Sequence, residues 1–158
     1  MIDQQAHADR VGCCFASERE ALLRFAVSMV GPDHAQDIVA TALTSVLERR
    51  SPPPIIDMRS FLFRTVHNAA NHHWRTQNRR LRRQREVLWT ERYEDHPDCD
   101  PTIRRALNAM SLRQRAVIYL AYWEDQTNAG IATTLGISLG SVKRHRTRAL
   151  QRLKEHYT

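Results

Sequence analysis

Glycine, proline and cysteine are scarce in this chain, and each scarcity excludes a class of structure. Five glycines and six prolines in 158 residues, with few alternating β-branched runs, argue against a sheet protein and favour an all-α fold. Three cysteines are an odd number and form no disulfide framework. No C-x-x-C or H-x-x-x-C spacing occurs, so the sequence predicts neither a metal site nor a cofactor.

Long apolar runs and catalytic motifs are also missing. The first ten residues, M-I-D-Q-Q-A-H-A-D-R, hold acids and no apolar stretch. Neither a secretory signal nor a membrane insertion is therefore predicted, and we expect a cytoplasmic protein. The chain has no G-x-S-x-G, no H-E-x-x-H and no glycine loop that would cradle a phosphate. We expect no enzymatic activity.

Acidic residues are too few to balance the basic ones. The chain holds 24 Lys and Arg against 17 Asp and Glu, a net charge of +7, so polyanions are the expected partners. The excess concentrates between residues 58 and 85, which hold eight arginines and no acid among interleaved aromatic residues. Such a run suits a single nucleic-acid strand, because its bases can stack on aromatic rings and its phosphates can pair with cationic side chains. The alternative is an aromatic core beside a merely solvated arginine run.

The order of apolar, proline-rich and acidic segments predicts two small helical domains. Apolar spacing indicates helices over residues 17–30, from residue 31 to about residue 49, and over about residues 58–85. A proline-rich loop over residues 51–57 separates the second helix from the third. Residues 86–101 carry six acids against one arginine and are predicted to be an acidic linker. The predicted domains are therefore residues 15–85 and 102–158, the latter with four helices.

A short helix, a glycine turn and a longer basic helix are predicted over residues 127–157. Thr127 or Asn128 can cap the first helix, Gly136 tolerates a positive φ after its end, and Ser138 can cap the second. The second helix turns its apolar residues inward, and these are Leu139, Val142, Ala149, Leu150 and Leu153. Its opposite side carries Lys143, Arg144, Thr147, Arg148 and Gln151. This pattern predicts a DNA-binding helix-turn-helix; a solvated basic face on a structural helix is the alternative.

Four motifs resemble the extracytoplasmic-function sigma factors, the two-domain specificity subunits of bacterial RNA polymerase. M-S-L-R-Q-R-A-V (110–117) and G-I-S-L-G-S-V-K (136–143) are similar to region four of that family. A-Q-D-I-V (35–39) and R-S-F-L-F-R-T-V-H-N (59–68) are similar to region two. The resemblance covers most of the chain from about residue 17. It implies a promoter-recognition subunit whose partners are core RNA polymerase and promoter DNA, and it leaves an anti-sigma factor open as a third.

The resemblance also implies roles for particular residues. The second helix would hold core polymerase through Asp37, Ile38, Leu43 and Leu47. The third helix and the loop before it would capture the melted minus-ten element through Arg59, Arg64, Asn68, Asn71, His72 and Arg75. The recognition helix would read the minus-thirty-five element through Ser141, Lys143, Arg144, His145, Thr147 and Arg148, joined by Arg115 from an earlier helix.

Four positions depart from the family pattern. Ala40 and Thr41 stand where a Q-E pair is frequent, Phe61 stands where tryptophan is common, and Arg146 lies on the apolar side of the recognition helix. Phe61 could therefore belong to the core, and the stem of Arg146 could snorkel.

Two other functional classes stay open at this point. One is a stand-alone helix-turn-helix regulator, which would need no arginine-rich helix for single strands. The other is a nucleic-acid-processing enzyme, which would need a metal or acid cluster.

Overall fold

The computed structural model describes residues 2–49, 55–84 and 100–158, and these residues form seven helices and no strand. The predicted all-α fold is confirmed. The N-terminal helices are α1 (Ile2–Val30), α2 (Pro32–Leu47) and α3 (Met58–Gln84), and the C-terminal helices are α4 (Pro101–Asn108), α5 (Leu112–Tyr122), α6 (Asn128–Leu135) and α7 (Leu139–Tyr157). No helix of these described ranges is long and apolar enough to cross a membrane.

Helix α1 begins far earlier than its apolar periodicity indicates. The predicted start at residue 17 was wrong, because α1 already begins at Ile2. Its first turns bury two side chains, His7 at 7% and Val11 at 0% exposure. Isolated short helices are marginal in water, so tertiary packing supports these turns where the local pattern is weak.

Local backbone chemistry sets the connections among the N-terminal helices. Gly31 adopts φ 84, a value that an L side chain rarely tolerates. Its amide closes α1 on the Val27 carbonyl at 2.9 Å, and Pro32 then opens α2. Asp57 caps α3 by accepting hydrogen bonds from the Ser60 amide at 3.2 Å and the Ser60 hydroxyl at 2.6 Å. These bonds hold the pKa of the Asp57 carboxyl below its usual value.

The caps predicted in the C-terminal helices are confirmed. Thr127 accepts a hydrogen bond from the Gly130 amide at 3.1 Å, and Ser138 accepts one from the Ser141 amide at 3.2 Å. Gly136 ends α6 with φ 66. One prediction here was wrong, since Leu139 is 44% exposed rather than buried. Pro101 already lies inside α4, and residues 86–99 of the predicted linker lie outside the described ranges.

The N-terminal and C-terminal helices share one hydrophobic core. Helices α1, α2 and α3 pack on one another, and the C-terminal helices contact them through α5 on α1 and α3 and through α6 on α3. We call this last contact the junction. At its centre the Phe25 ring lies 5.2 Å from Phe63 and 5.3 Å from Tyr119 of α5. Helix α7 packs on α4, α5 and α6, with Met110, Ile118 and Ala149 forming a smaller core.

Candidate nucleic-acid interface

Helix α7 presents one polar, cationic face to solvent. Val142 and Ala149 are fully buried on its inner side. Four of the residues predicted to read DNA are exposed on the opposite side, and we call them the α7 basic face: Lys143, Arg144, Thr147 and Arg148. Long cationic side chains on a helix that is anchored from behind can reach both phosphates and base edges.

The first turn of α7 organises part of this face. The Arg144 guanidinium donates to the Ser141 hydroxyl at 3.1 Å, and the hydroxyls of Ser141 and Ser138 lie 2.9 Å apart. His145 is half-buried. Burial, followed by the charges of Arg113, Arg144 and Arg148, lowers the pKa of its imidazole. His145 therefore adds a polar group rather than a further charge at neutral pH.

Arg146 has a structural role that explains its place on the apolar side of α7. Its guanidinium donates to the side-chain oxygen of Asn128 at 3.0 Å and lies 5.2 Å from the centre of the Tyr122 ring. Both partners precede the turn of the helix-turn-helix. Arg146 therefore connects α7 to the start of α6 and to the end of α5. These contacts fix the angle between α6 and α7.

Arg115 does not lie with the α7 basic face. It is 3% exposed, and its guanidinium donates to the Met29 carbonyl at 2.9 Å. The Trp74 indole N–H reaches the same carbonyl at 3.2 Å, and its ring lies 6.0 Å from the Arg115 guanidinium. Met29 is in the last turn of α1, where unpaired carbonyls and the helix dipole favour a cation. In this arrangement Arg115 stabilises the junction.

Arg64 from the predicted minus-ten set is also engaged at the junction. It donates to the carbonyls of Thr134, at 3.0 Å, and Thr133. These two carbonyls belong to the last turn of α6, so Arg64 satisfies a helix end in the same manner as Arg115. A Cβ added at Gly136 would lie 3.2 Å from the Arg64 guanidinium carbon. Glycine thus lets the arginine approach the backbone.

Arg59 occupies a cluster of acids that spans the junction. Its guanidinium pairs with Glu18 of α1 at 3.0 Å and with Glu124, which follows α5. It also lies 5.0 Å from the centre of the Phe63 ring. The Tyr119 hydroxyl is 3.2 Å from the Glu124 carboxylate. Because the Glu124 side chain is only 9% exposed, salt screens this ion pair less than it screens an ion pair on the surface.

The remaining predicted minus-ten residues follow the exposed part of α3. Asn68, His72 and Arg75 are exposed and Asn71 is half-buried; their spacing of three and four places them on one side of the helix. Phe61 is half-buried with the Arg49 guanidinium 5.6 Å from its ring centre. That ring is partly covered and is not an open stacking platform.

The residues predicted to hold core polymerase divide between the surface and the interior of α2. Asp37 is exposed, and Leu47 is 38% exposed. Leu43 is half-buried against the core, whereas Ile38 is 5% exposed and belongs to the core. In this arrangement Ile38 supports the helix and leaves Asp37 and Leu47 as its accessible contacts.

Sequence reasoning missed the acids that engage Arg59. Glu18 lies 41 positions before Arg59 in the chain, and Glu124 lies 65 positions after it. No periodic spacing connects such distant positions. The available signal was weak: Glu124 and Asp125 are two adjacent acids between an aromatic segment and the cap of α6.

Two family models match the chain on either side of residues 81–101. The model for Sigma-70 region 2 matches residues 14–80, and the model for Sigma-70, region 4 matches residues 102–153. The first match contains α2 and most of α3. The second contains α5, α6 and most of α7.

Known proteins resemble the chain over most of its length. The RNA polymerase sigma-E factor of Streptomyces coelicolor is 33% identical over 151 residues, which cover 88% of this chain and 81% of that protein. The factor of the same name from Streptomyces avermitilis is also 33% identical, with coverage of 88% and 80%. The sigma factor RpoE from Bartonella quintana, solved in complex with the anti-sigma factor NepR, has a TM-score of 0.73 at 23% identity, covering 90% and 93% of the two chains.

Proposed function

Because the chain belongs to the sigma-70 family of RNA polymerase sigma factors, which direct promoter-specific transcription initiation, we propose a division of labour between its two parts. Residues 15–85 hold core polymerase and the melted minus-ten element. Residues 102–158 read the minus-thirty-five element as duplex, and the acidic residues 86–101 link the two. The protein acts in the cytoplasm and has no enzymatic activity of its own.

The α7 basic face is the observation that carries this proposal. Lys143, Arg144 and Arg148 are exposed on a capped helix that fully buried apolar residues hold from behind. Base contacts fall to the residues near the helix start, since a recognition helix enters the major groove by its N-terminal end. Ser141, Lys143, Arg144 and His145 therefore specify the sequence. Thr147 and Arg148 contribute to the same surface.

In the arrangement described, two of the arginines predicted to capture the minus-ten strand are not accessible to DNA. Asn68, His72 and Arg75 are accessible on α3, whereas Arg59 and Arg64 are bound at the junction. A phosphate must replace the carboxylates and carbonyls that now hold these two arginines. We infer that α5 and α6 leave α1 and α3 when the protein engages polymerase and promoter together. Arg115 becomes available to DNA only in that separated state.

We propose an anti-sigma factor as a further partner. The Bartonella relative was solved with one bound, and its fold covers nearly all of this chain. A partner that binds the N-terminal and C-terminal helices together would favour the junction seen here. It would thereby keep Arg59 and Arg64 from the promoter.

Run-off transcription with purified core polymerase tests the proposed function directly. We expect specific transcripts only when core and this protein are combined. Asp37→Arg and Leu47→Asp should weaken co-purification with core, because both side chains are accessible on α2. Asp33→Arg is the matched control, since it makes the same charge change at an exposed position in the first turn of α2. Site-specific duplex binding by the free protein, without affinity for core, would favour the stand-alone regulator.

A premelted template separates strand capture from duplex recognition. Asn68→Ala and Asn71→Ala should slow open-complex formation on duplex promoter, and a pre-opened bubble should relieve part of the defect. Losing a bidentate hydrogen-bonded contact between an asparagine and a base costs about 1–3 kcal/mol. Thr76→Ala, on an exposed position of the same helix, controls for general effects on α3. Equal defects on both templates would assign the asparagines to folding or core binding.

A further inference from the structure

Two histidines from different helices lie ring to ring near the start of α2. His34 is in the first turn of α2, and His73 is on α3. Their ring centres are 4.7 Å apart, and the ring planes are tilted by 45°. His34 is exposed and His73 is half-buried, so solvent reaches the pair. No short sequence motif contains both residues, and only the fold brings them together.

The nitrogens of these two rings are available as ligands. Within residues 2–49, 55–84 and 100–158, no hydrogen bond joins either imidazole to a further group. Burial, followed by the charge of His34, lowers the pKa of the His73 imidazole, and the Asp37 carboxylate acts in the opposite direction. His73 is therefore uncharged at neutral pH. The uncharged imidazole is the form that binds a metal ion.

The separation of the rings suits two ligands of one metal ion. A bond between zinc and an imidazole nitrogen is about 2.0–2.1 Å long. Neighbouring ligands of a tetrahedral or tetragonal ion subtend about 90–110° at the metal. Two imidazoles on such an ion therefore have ring centres about 4.5–5 Å apart. The observed distance of 4.7 Å falls in this range without any movement of α2 or α3.

The charges around the pair favour a cation. The positive end of the α2 dipole opposes a cation near His34, but Asp33 and Asp37 are exposed in the first two turns of the same helix and offset it. On α3, Arg75 is two positions from His73 and therefore lies on another side of the helix. The positions three and four residues from His73 carry no charge, and these are Ala69, Ala70, Thr76 and Gln77.

We propose that His34 and His73 together bind one divalent ion of the copper, nickel and zinc group, which joins α2 to α3. No group of three His, Cys, Asp or Glu in the described part of the chain could hold a metal ion. The protein therefore supplies two ligands, and water supplies the others. This ligand set suits Cu²⁺ and Ni²⁺, which accept tetragonal nitrogen and oxygen sites. Mg²⁺ and Ca²⁺ prefer oxygen ligands and should not bind.

Metal binding by the free, untagged, full-length protein tests the proposal. Accessible thiols are first alkylated, because the exposed Cys13 would otherwise compete for the ion. Titration calorimetry with Ni²⁺ compares wild type with His34→Gln, His73→Gln and the double variant. His72→Gln is the matched control, since His72 is an exposed histidine next to His73 on the same helix. Electron paramagnetic resonance of bound Cu²⁺ counts the nitrogen ligands, and thermal midpoints are measured with and without Ni²⁺.

We expect each single variant to lose most of the affinity for Ni²⁺. The loss should be at least about tenfold, since even the loss of an outer-shell partner costs about 10–100-fold in metal affinity. The double variant should bind no more weakly than the weaker single variant, because both rings serve one ion. Cu²⁺ should show two imidazole nitrogens in wild type and one in each single variant. His72→Gln should match wild type throughout.

The ion should also stabilise the packing of α2 on α3. At about 100 times its dissociation constant, Ni²⁺ should raise the thermal midpoint of wild type and of His72→Gln by about 5–10 °C. The double variant should show no such rise. If His73→Gln lowers the midpoint without metal, His34→Gln decides the matter alone, because His34 is exposed.

Two results would overturn the proposal. In the first, the double variant binds Ni²⁺ with the affinity of wild type, or wild type binds none. In the second, His72→Gln loses as much affinity as His73→Gln, which would show that the ion selects no particular pair of histidines. Both results are obtained without polymerase or DNA, so neither affects the proposed function.

Discussion

Helices α3 and α7 both carry arginines at helical spacing, but their surroundings give these arginines different roles. On α7, Arg144 and Arg148 are exposed. On α3, Arg59 and Arg64 meet carboxylates and helix-end carbonyls of the C-terminal helices. Carboxylates and the last-turn carbonyls of α6 bind the two α3 arginines. Solvent surrounds the two α7 arginines. The same residue type therefore serves the fold on α3 and is free for DNA on α7.

The largest expected effect on stability is the response to acid of a histidine buried on α3. His67 of α3 is 1% exposed, and burial, reinforced by the charge of Arg113, lowers its pKa to about 4. An unfolded histidine takes up a proton near pH 6.5, so the unfolded state gains protons first as the pH falls. The free energy of unfolding should drop by on the order of 3 kcal/mol between pH 6.5 and pH 4.

Urea denaturation across this pH range measures the drop. His67→Leu removes the titrating group and should flatten the curve between these two pH values. His72→Leu, at an exposed position of the same helix, should keep the wild-type slope. An unchanged acid response in His67→Leu would show that other groups control it.

Arg115→Met tests the arginine that binds the C-terminal end of α1. It removes the donor to the Met29 carbonyl while keeping an apolar stem of similar length. We expect a loss of about 2 kcal/mol in the free energy of unfolding. Arg113→Met is the control, because Arg113 lies two positions earlier and is exposed. Equal losses in both variants would mean that α5 tolerates no change of charge, whatever its contacts.

A pair of glycine substitutions measures how closely α3 approaches α6. Gly136→Ala places a Cβ on a residue with φ 66 and 3.2 Å from the Arg64 guanidinium, and we expect a loss of about 1–2 kcal/mol. At Gly140 an added Cβ meets nothing within 4 Å. Gly140→Ala should therefore stabilise α7 by up to about 1 kcal/mol. Thermal unfolding of both variants gives the sign of each change.

Substitutions on the α7 basic face should have the smallest effect on folding. Arg144→Ala should change the free energy of unfolding by no more than about 0.5 kcal/mol, while it lowers discrimination at one or two base pairs by about 1–3 kcal/mol. Arg152→Ala, further along the same exposed side, should weaken binding of all sequences alike and reduce the salt slope by about one.

The measurement for the α7 variants is binding of holoenzyme to single-base variants of the upstream element at several salt concentrations. A uniform loss in both Arg144→Ala and Arg152→Ala would remove the assignment of a base-reading face to α7. Destabilisation by Arg144→Ala comparable to that by Arg115→Met would remove the contrast between the arginines of the junction and those of α7.

Features that depend on neighbouring residues were predictable from the sequence, and those that depend on distant ones were not. Thr127, Gly136 and Ser138 act within one turn of their partners, so their caps follow from local spacing. Arg115 finds its acceptor 86 positions away. A one-dimensional pattern cannot distinguish an arginine that faces a DNA groove from one that faces the end of another helix. The early start of α1 escaped prediction for the same reason.

The tryptophan at the junction gives the protein an intrinsic optical probe. The Trp74 indole donates to the Met29 carbonyl, and the Arg115 guanidinium lies 6.0 Å from its ring. Indole emission responds to nearby charge and to water. Departure of α5 from α1 and α3 would take the charge away and let water in, so its emission wavelength would shift. Opening of the molecule can therefore be followed in unlabelled protein in which the other two tryptophans, Trp89 and Trp123, are replaced by phenylalanine.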